Sequence, residues 1–181
     1  MSEGFNGFIY GQILLLSKTT FNLILYSYMR RLLYKIQIPM LLFLPFWFTL
    51  GRCLIAGCGY GIITTLFFSA LLFAGLAVIY HYTTRMRSDV AQTKKLPVAD
   101  TIFLLTIYIS SFLYGFFFED AIDGDGYQKF MSVATKISEI SHPLANQLAT
   151  IMLWVFLVSE VAYILYCKAK IKKQALENNK K

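Results

Sequence analysis

Residues 53–82, CLIAGCGYGIITTLFFSALLFAGLAVIYHY, run for thirty positions without a formally charged side chain. A helix needs about 20 mainly apolar residues to cross the roughly 30 Å hydrocarbon layer of a bilayer, and this stretch meets that length with room for a turn. The rest of the chain agrees with it. Of 181 residues, 57% are hydrophobic and 15% charged, whereas a soluble domain carries about 25% charged residues. Mean hydropathy is +0.56. So much apolar surface exceeds what one core of this size hides, which excludes soluble enzymes, secreted disulfide scaffolds and disordered tails.

Three further stretches on either side of the first are long and apolar enough to span. The sequence therefore predicts an all-α membrane protein, a four-transmembrane-helix bundle over residues 32–167 with spans at about 32–50, 62–82, 101–118 and 146–167. Pro39 and Pro45 lie inside the first of these spans, and Asp100 and Glu119 bound the third. Residues 1–31 are read as an N-terminal interfacial helix, since Gly7, Gly11, Lys18 and Asn22 fall within about 60° of one another on a helical wheel and form a narrow polar stripe. A fifth span over 5–29 is the rival reading. Nothing at the N-terminus has the basic start and small-residue cleavage site of a secretory signal. Residues 168–181 form a basic tail.

The net charge of +7, with Lys and Arg numbering 17 against 10 acids, suggests a nucleic-acid partner only until the charges are placed along the chain. Lys and Arg accumulate in short cytoplasmic loops. With the first span leaving the cytoplasm, only Arg52, Lys129 and Lys136 of the 17 basic residues fall outside. Both termini are then cytoplasmic. Tyr26, Tyr28, Tyr34, Tyr80, Tyr82, Tyr163 and Tyr166 gather towards the same inner face, as interfacial tyrosines do. The expected setting is a bacterial inner (plasma) membrane, with the lipid bilayer and a membrane-protein partner or second copy as contacts, and no nucleic acid.

Few residues in this frame can carry chemistry. Glu160 lies within the fourth span, roughly 21 Å along the helix from Asn146 and roughly 12 Å from Lys168. A carboxylate there is costly unless protonated, paired or facing water, so it is the candidate functional intramembrane carboxylate. Its structural reading is a hydrogen bond to a neighbouring helix through Thr106, Ser110 or Ser111. Lys168, Lys170, Lys172 and Lys173 are candidate contacts for anionic lipid or an acidic partner.

The outer loop, 119–142, contains Asp120, Asp123 and Asp125 with Gly124 and Gly126. It fails as an EF-hand, because the register that places Asp123, Asp125 and Gly126 correctly puts Ala121 at the first ligand position and Ser132 at the last. It reads instead as a solvated turn, followed by a short outer amphipathic helix carrying Phe130, Val133, Ile137 and Ile140 at helical spacing. His81 and His142 belong to opposite faces and cannot share a metal. Cys53 and Cys58 stand near the outer face of a chain whose size and topology resemble the four-helix quinone-linked thiol oxidases. That family carries a Cys-x-x-Cys pair in the first outer loop and a second cysteine pair in the next. Here the first two cysteines are separated by four intervening residues and the second loop has none, so the resemblance does not extend to its electron path. Cys167, beside Lys168, is an acylation candidate in a eukaryotic setting.

No metal, cofactor or catalytic constellation is predicted. The expected function is therefore non-enzymatic: an accessory or assembly subunit of a membrane machine of the secretion or conjugation type, or an exclusion or immunity factor. The alternative is a small proton- or cation-coupled transporter or channel using Glu160.

Overall fold

The computed structural model describes residues 3–56, 62–124, 127–138 and 140–178. Its first helix, α1, runs uninterrupted from Glu3 to Phe46. At 1.5 Å per residue its 44 residues measure roughly 66 Å, twice the thickness of a bilayer core. There is no break at 31/32, where the interfacial helix was expected to give way to the first span. Instead one apolar segment runs through the end of α1 without interruption and, among the residues whose side chains are described, includes Leu25–Ile55. The surroundings of Gly7, Gly11, Lys18 and Asn22 lie outside the described part.

Pro45 has no N–H to give to the preceding turn, and one residue beyond the end of α1 the helix widens into a single π turn, Trp47–Gly51. The Pro45 carbonyl there is bonded from two sides, by the Thr49 hydroxyl at 2.9 Å and by Ser69 of the next long helix at 3.1 Å. A short helix α2, Arg52–Ala56, follows. Gly57, Cys58, Gly59 and Gly61 lie outside the described residues. α3 spans Ile62–Tyr80 and passes into a second π turn, His81–Arg85. Short α4, Ser88–Thr93, ends on Lys94 in the left-handed conformation, whose N–H bonds back to Val90 O, a capping geometry usually taken by glycine.

Helix α5, Val98–Phe117, starts after Pro97, as the fixed proline φ and missing N–H favour at a helix start. An antiparallel hairpin then replaces the irregular turn expected from the outer loop: β1, Asp120–Gly124, pairs with β2, Tyr127–Met131, with Asp120 opposite Met131 and Gly124 opposite Tyr127. Asp125 and Gly126, between them, lie outside the described residues. The outer amphipathic helix is shorter than expected. α6 covers only Val133–Ser138, Phe130 belongs to β2, and Ile140 follows the helix. Ser132 caps it, accepting from Thr135 N at 3.1 Å while its own N–H donates to the Thr135 hydroxyl at 2.8 Å. The last helix, α7, runs from His142 to Asn178, so the basic segment from Lys168 to Asn178 is a helical extension of the fourth apolar helix.

Among the described residues four helical stretches are thus long and apolar enough to cross a membrane: Leu25–Ile55, Thr65–Arg85, Val98–Phe117 and His142–Asn178. α5 packs most extensively against α7, and α3 lies against α1. The main core joins Leu33 and Leu44 of α1, Leu72, Leu76 and Ile79 of α3, Leu104 and Ile107 of α5, and Phe156 and Tyr163 of α7. A smaller cluster of Phe48, Tyr114 and Ala149 closes the hairpin end. The opposite end, where the α4 loop docks, is called the basic end below.

Candidate functional site

Glu160 is presented by α7 to the one place on α3 that has no side chain. A Cβ built on Gly75 would sit 1.7 Å from Glu160 Oε1, so the carboxylate in this position occupies the space that the glycine leaves. Oε1 is buried and has no hydrogen-bond partner. The interhelical bond expected from the sequence is not made: Thr106 donates to Ile102 O at 3.0 Å and Ser110 to Thr106 O at 2.6 Å, so both hydroxyls serve their own helix. These hydroxyls cap carbonyls one turn back because that acceptor is always in reach. Ser111 instead shares with Glu160 a cavity of about 80 Å³, which Tyr114 also lines amid Phe48, Phe68 and Leu72.

The best-connected polar site lies elsewhere, at the basic end, and sequence reasoning did not single it out. Arg87, 1% exposed, follows the second π turn, and Asp100, 0% exposed, sits in the first turn of α5, where the helix dipole favours a negative charge. Arg87 Nη1 donates to Asp100 Oδ1. Its other two nitrogens grip Asp89 at the start of α4, Nε to Oδ1 at 3.2 Å and Nη2 to Oδ2 at 2.6 Å. Tyr163 of α7 donates its phenol proton to Asp100 Oδ1 at 2.7 Å. The Thr83 hydroxyl lies 2.9 Å from the Tyr163 oxygen and has a second acceptor in Ile79 O, at 2.7 Å one turn back on its own helix. Gln174, three turns further along α7, donates to Asp89 at 2.9 Å.

One guanidinium therefore ties the second π turn, α4, α5 and α7 into a single polar knot roofed by Tyr166, whose ring centre is 5.8 Å from the Arg87 guanidinium. Burial works against charge on both Arg87 and Asp89, and their pairing outweighs it. Arg87 holds its proton more firmly than a free arginine, through the Asp89 hydrogen bond and the charges of Asp100 and Asp89. The hydrogen bonds from Arg87 and Gln174, with the Arg87 charge, keep Asp89 below the ordinary carboxylate range. Asp100 Oδ2 has no partner.

The lysines chosen from sequence are spread along the exposed face of α7. Lys168 sits 6.0 Å from the Tyr82 ring centre and Lys170 5.7 Å from that of Tyr166, while Lys173 pairs loosely with Glu177 at 3.8 Å. Lys172 is likewise exposed. Cys167 is free but fully buried, which removes it as an acylation site. Cys53 is disulfide-bonded, and Cys58 lies outside the described residues. His142 Nδ1 lies 2.9 Å from Glu119 at the hairpin end, whereas His81 stacks edgewise on Tyr82, so the two histidines stand apart as expected. Among the described residues there is no group of three or more His, Cys, Asp or Glu placed to hold a metal ion.

The signal for the knot was present in the sequence: Arg87 and Asp89 flank one turn of a short loop that runs into Asp100. It was absorbed there into the charge count that sets orientation. No protein-family model matches the chain, and neither a curated protein nor a solved structure is detectably similar to it.

Proposed function

We propose that the chain is a polytopic integral membrane protein that acts by protein–protein contact, as an accessory or assembly subunit of a membrane machine or as an exclusion or immunity factor, with both termini in the cytoplasm of a bacterial cell. The observation that carries this reading is how the molecule divides its polar and apolar groups. Among the described residues its fully buried charged side chains, Arg52, Arg87 and Asp100, reach across to other elements, Arg52 to Phe118 O and Arg87 to Asp100. Large apolar side chains meanwhile stand exposed on all four long helices, among them Leu42, Phe67, Ile109 and Val158. Contiguous apolar surface of this kind is foreign to water and suits lipid or a partner helix. A tied bundle with an apolar exterior is a scaffold for docking.

Purification from native membranes in mild detergent tests this reading. A defined larger partner in constant ratio is expected, and recovery of the monomer with lipid alone contradicts it.

A second reading, a proton- or cation-coupled carrier, is favoured by one observation: Glu160 Oε1 is unpartnered and borders a cavity. Vesicles reconstituted with wild type and with Glu160→Gln separate the two. Flux in the wild type that the substitution abolishes establishes transport, and no flux in either eliminates it.

A further inference from the structure

We propose that the seam between α1 and α5 holds one anionic phospholipid, with an acyl chain in an apolar groove and the phosphate on Arg30 and Lys95. The inference rests on the membrane reading above.

The groove has a volume of about 290 Å³ and is lined by Leu33, Ile36, Met40 and Phe43 of α1 facing Ile109 and Phe112 of α5, among others. It opens outward, for Phe43 is 44% and Ile109 55% exposed on its rim. From Leu33 to Phe43 the helix rises roughly 15 Å, about half of the 30 Å hydrocarbon layer and so the depth of one leaflet. That length matches an acyl chain entering from the basic end.

The charges stand where the headgroup of such a lipid would lie. Arg30 is one turn before Leu33 on α1. Its Nε donates to Leu96 O of the loop that precedes α5, and Lys95 Nζ on the same loop donates to the Ser27 hydroxyl of α1 at 2.7 Å. Both acceptors are neutral. Among the described residues neither cation has a carboxylate within ion-pair distance, in contrast to Arg87 with its two. The two terminal nitrogens of Arg30 have no acceptor there either, and such a fork matches the oxygens of a phosphate. Uncompensated basic groups between helices on the cytoplasmic side are the chemistry that binds anionic headgroups. The complementarity of charge and groove length selects a lipid over a second apolar helix, which would leave both charges unanswered.

Native mass spectrometry of the full chain tests this, with phosphatidylglycerol and phosphatidylcholine of identical acyl chains offered together. One phosphatidylglycerol is expected to be retained in preference. Removing one charge, as in Arg30→Gln or Lys95→Gln, should lower that retention about fivefold, and removing both roughly thirtyfold, at about 1 kcal/mol per basic residue. Ile109→Trp keeps both charges but fills the groove, and should abolish retention, while Lys136→Gln, on α6 at the hairpin end, should change nothing. Equal retention of the two lipids, or indifference to the double substitution, overturns the proposal. So does displacement of the lipid by soluble glycerol phosphate, which marks a free-anion site, or a dimer lost in Ile109→Trp, which marks a second copy in the groove. Alkaline carbonate extraction of the same membranes separates the two levels. A chain released into solution contradicts the membrane reading itself, whereas a chain that stays in the membrane without lipid preference contradicts the lipid site alone.

Discussion

Tyr163 of α7 and Arg87 of the α4 loop donate to the same oxygen, Oδ1 of Asp100 on α5. The two partners of Arg87 make this arrangement asymmetric. Loss of Asp100 leaves the guanidinium still bonded twice to Asp89, but loss of Arg87 leaves Asp100 as a fully buried carboxylate with one neutral donor. Breaking a buried pair from one side costs about 3–5 kcal/mol when the remaining charge is uncompensated. Arg87→Ala is therefore expected to lose about that much and Asp100→Ala distinctly less, read from thermal unfolding in one detergent. Replacing both by apolar residues, Arg87→Met with Asp100→Leu, should recover most of the loss. Equal losses in the two single variants would show that Asp89 does not hold Arg87.

Tyr163→Phe keeps the ring and its stacking on Phe103, whose centre is 5.4 Å away, and removes only the hydroxyl. Asp100 loses a donor in a site without water access, while the Thr83 hydroxyl keeps Ile79 O as its acceptor at 2.7 Å. Unsatisfied buried groups cost about 1–3 kcal/mol, so unfolding should shift by that amount. A shift no larger than that of a surface Tyr28→Phe control would place the hydroxyl outside the stability of the knot.

The four apolar helices were legible because length and apolarity alone define them, and their observed bounds depart from the expected ones mainly at the ends. The knot was not legible, because Arg87 and Asp100 are thirteen residues apart and meet only after α7 packs against both α5 and the second π turn. The hairpin was hidden for a different reason. Asp125-Gly126 is a strong two-residue turn signal, but the surrounding acids read as a solvated turn, and the flanking strands alternate weakly. Glu160 was found for a sound reason, its cost in an apolar helix. Its contact, Gly75, could not be found, since a glycine among Ala70, Ala74 and Ala77 reads only as another small residue for close packing.

That contact gives a sharp expectation. Gly75→Ala places a methyl where the carboxylate of Glu160 lies; the flexible end of that side chain can swing aside, so the loss is expected at the low end of the about 1–3 kcal/mol that overpacking costs. Glu160→Ala removes the obstruction, so the double variant Gly75→Ala with Glu160→Ala should be more stable than the sum of the two single losses. Thermal unfolding of the four proteins of this double-mutant cycle checks it, and strict additivity would mean the two residues do not touch.

The pH dependence of the basic end follows from Asp89. Its folded-state pKa is lowered from 3.8, so it binds its proton less readily folded than unfolded. Its contribution to stability is present above about pH 4 and is lost as pH falls through the lower folded value. The side chain is 40% exposed, which screens the effect and keeps it small. Proteolytic protection of 168–178, held to α4 through Gln174, should fall below pH 4 in the wild type. Asp89→Asn should show the weakened protection already at neutral pH, with little further change on acidification. Protection in that variant equal to the wild type at neutral pH would remove Asp89 from the junction.

All of these readings depend on four crossings, with the knot of Arg87, Asp100 and Tyr163 at the cytoplasmic face and the hairpin outside. Reporter fusions measure this directly. A fusion after Lys95, in the loop that carries the knot, is predicted to be active only as a cytoplasmic reporter, and one after Gly126, at the hairpin, only as an external one. Both fusions reporting from the same side, or the two reporting from exchanged sides, would contradict the account.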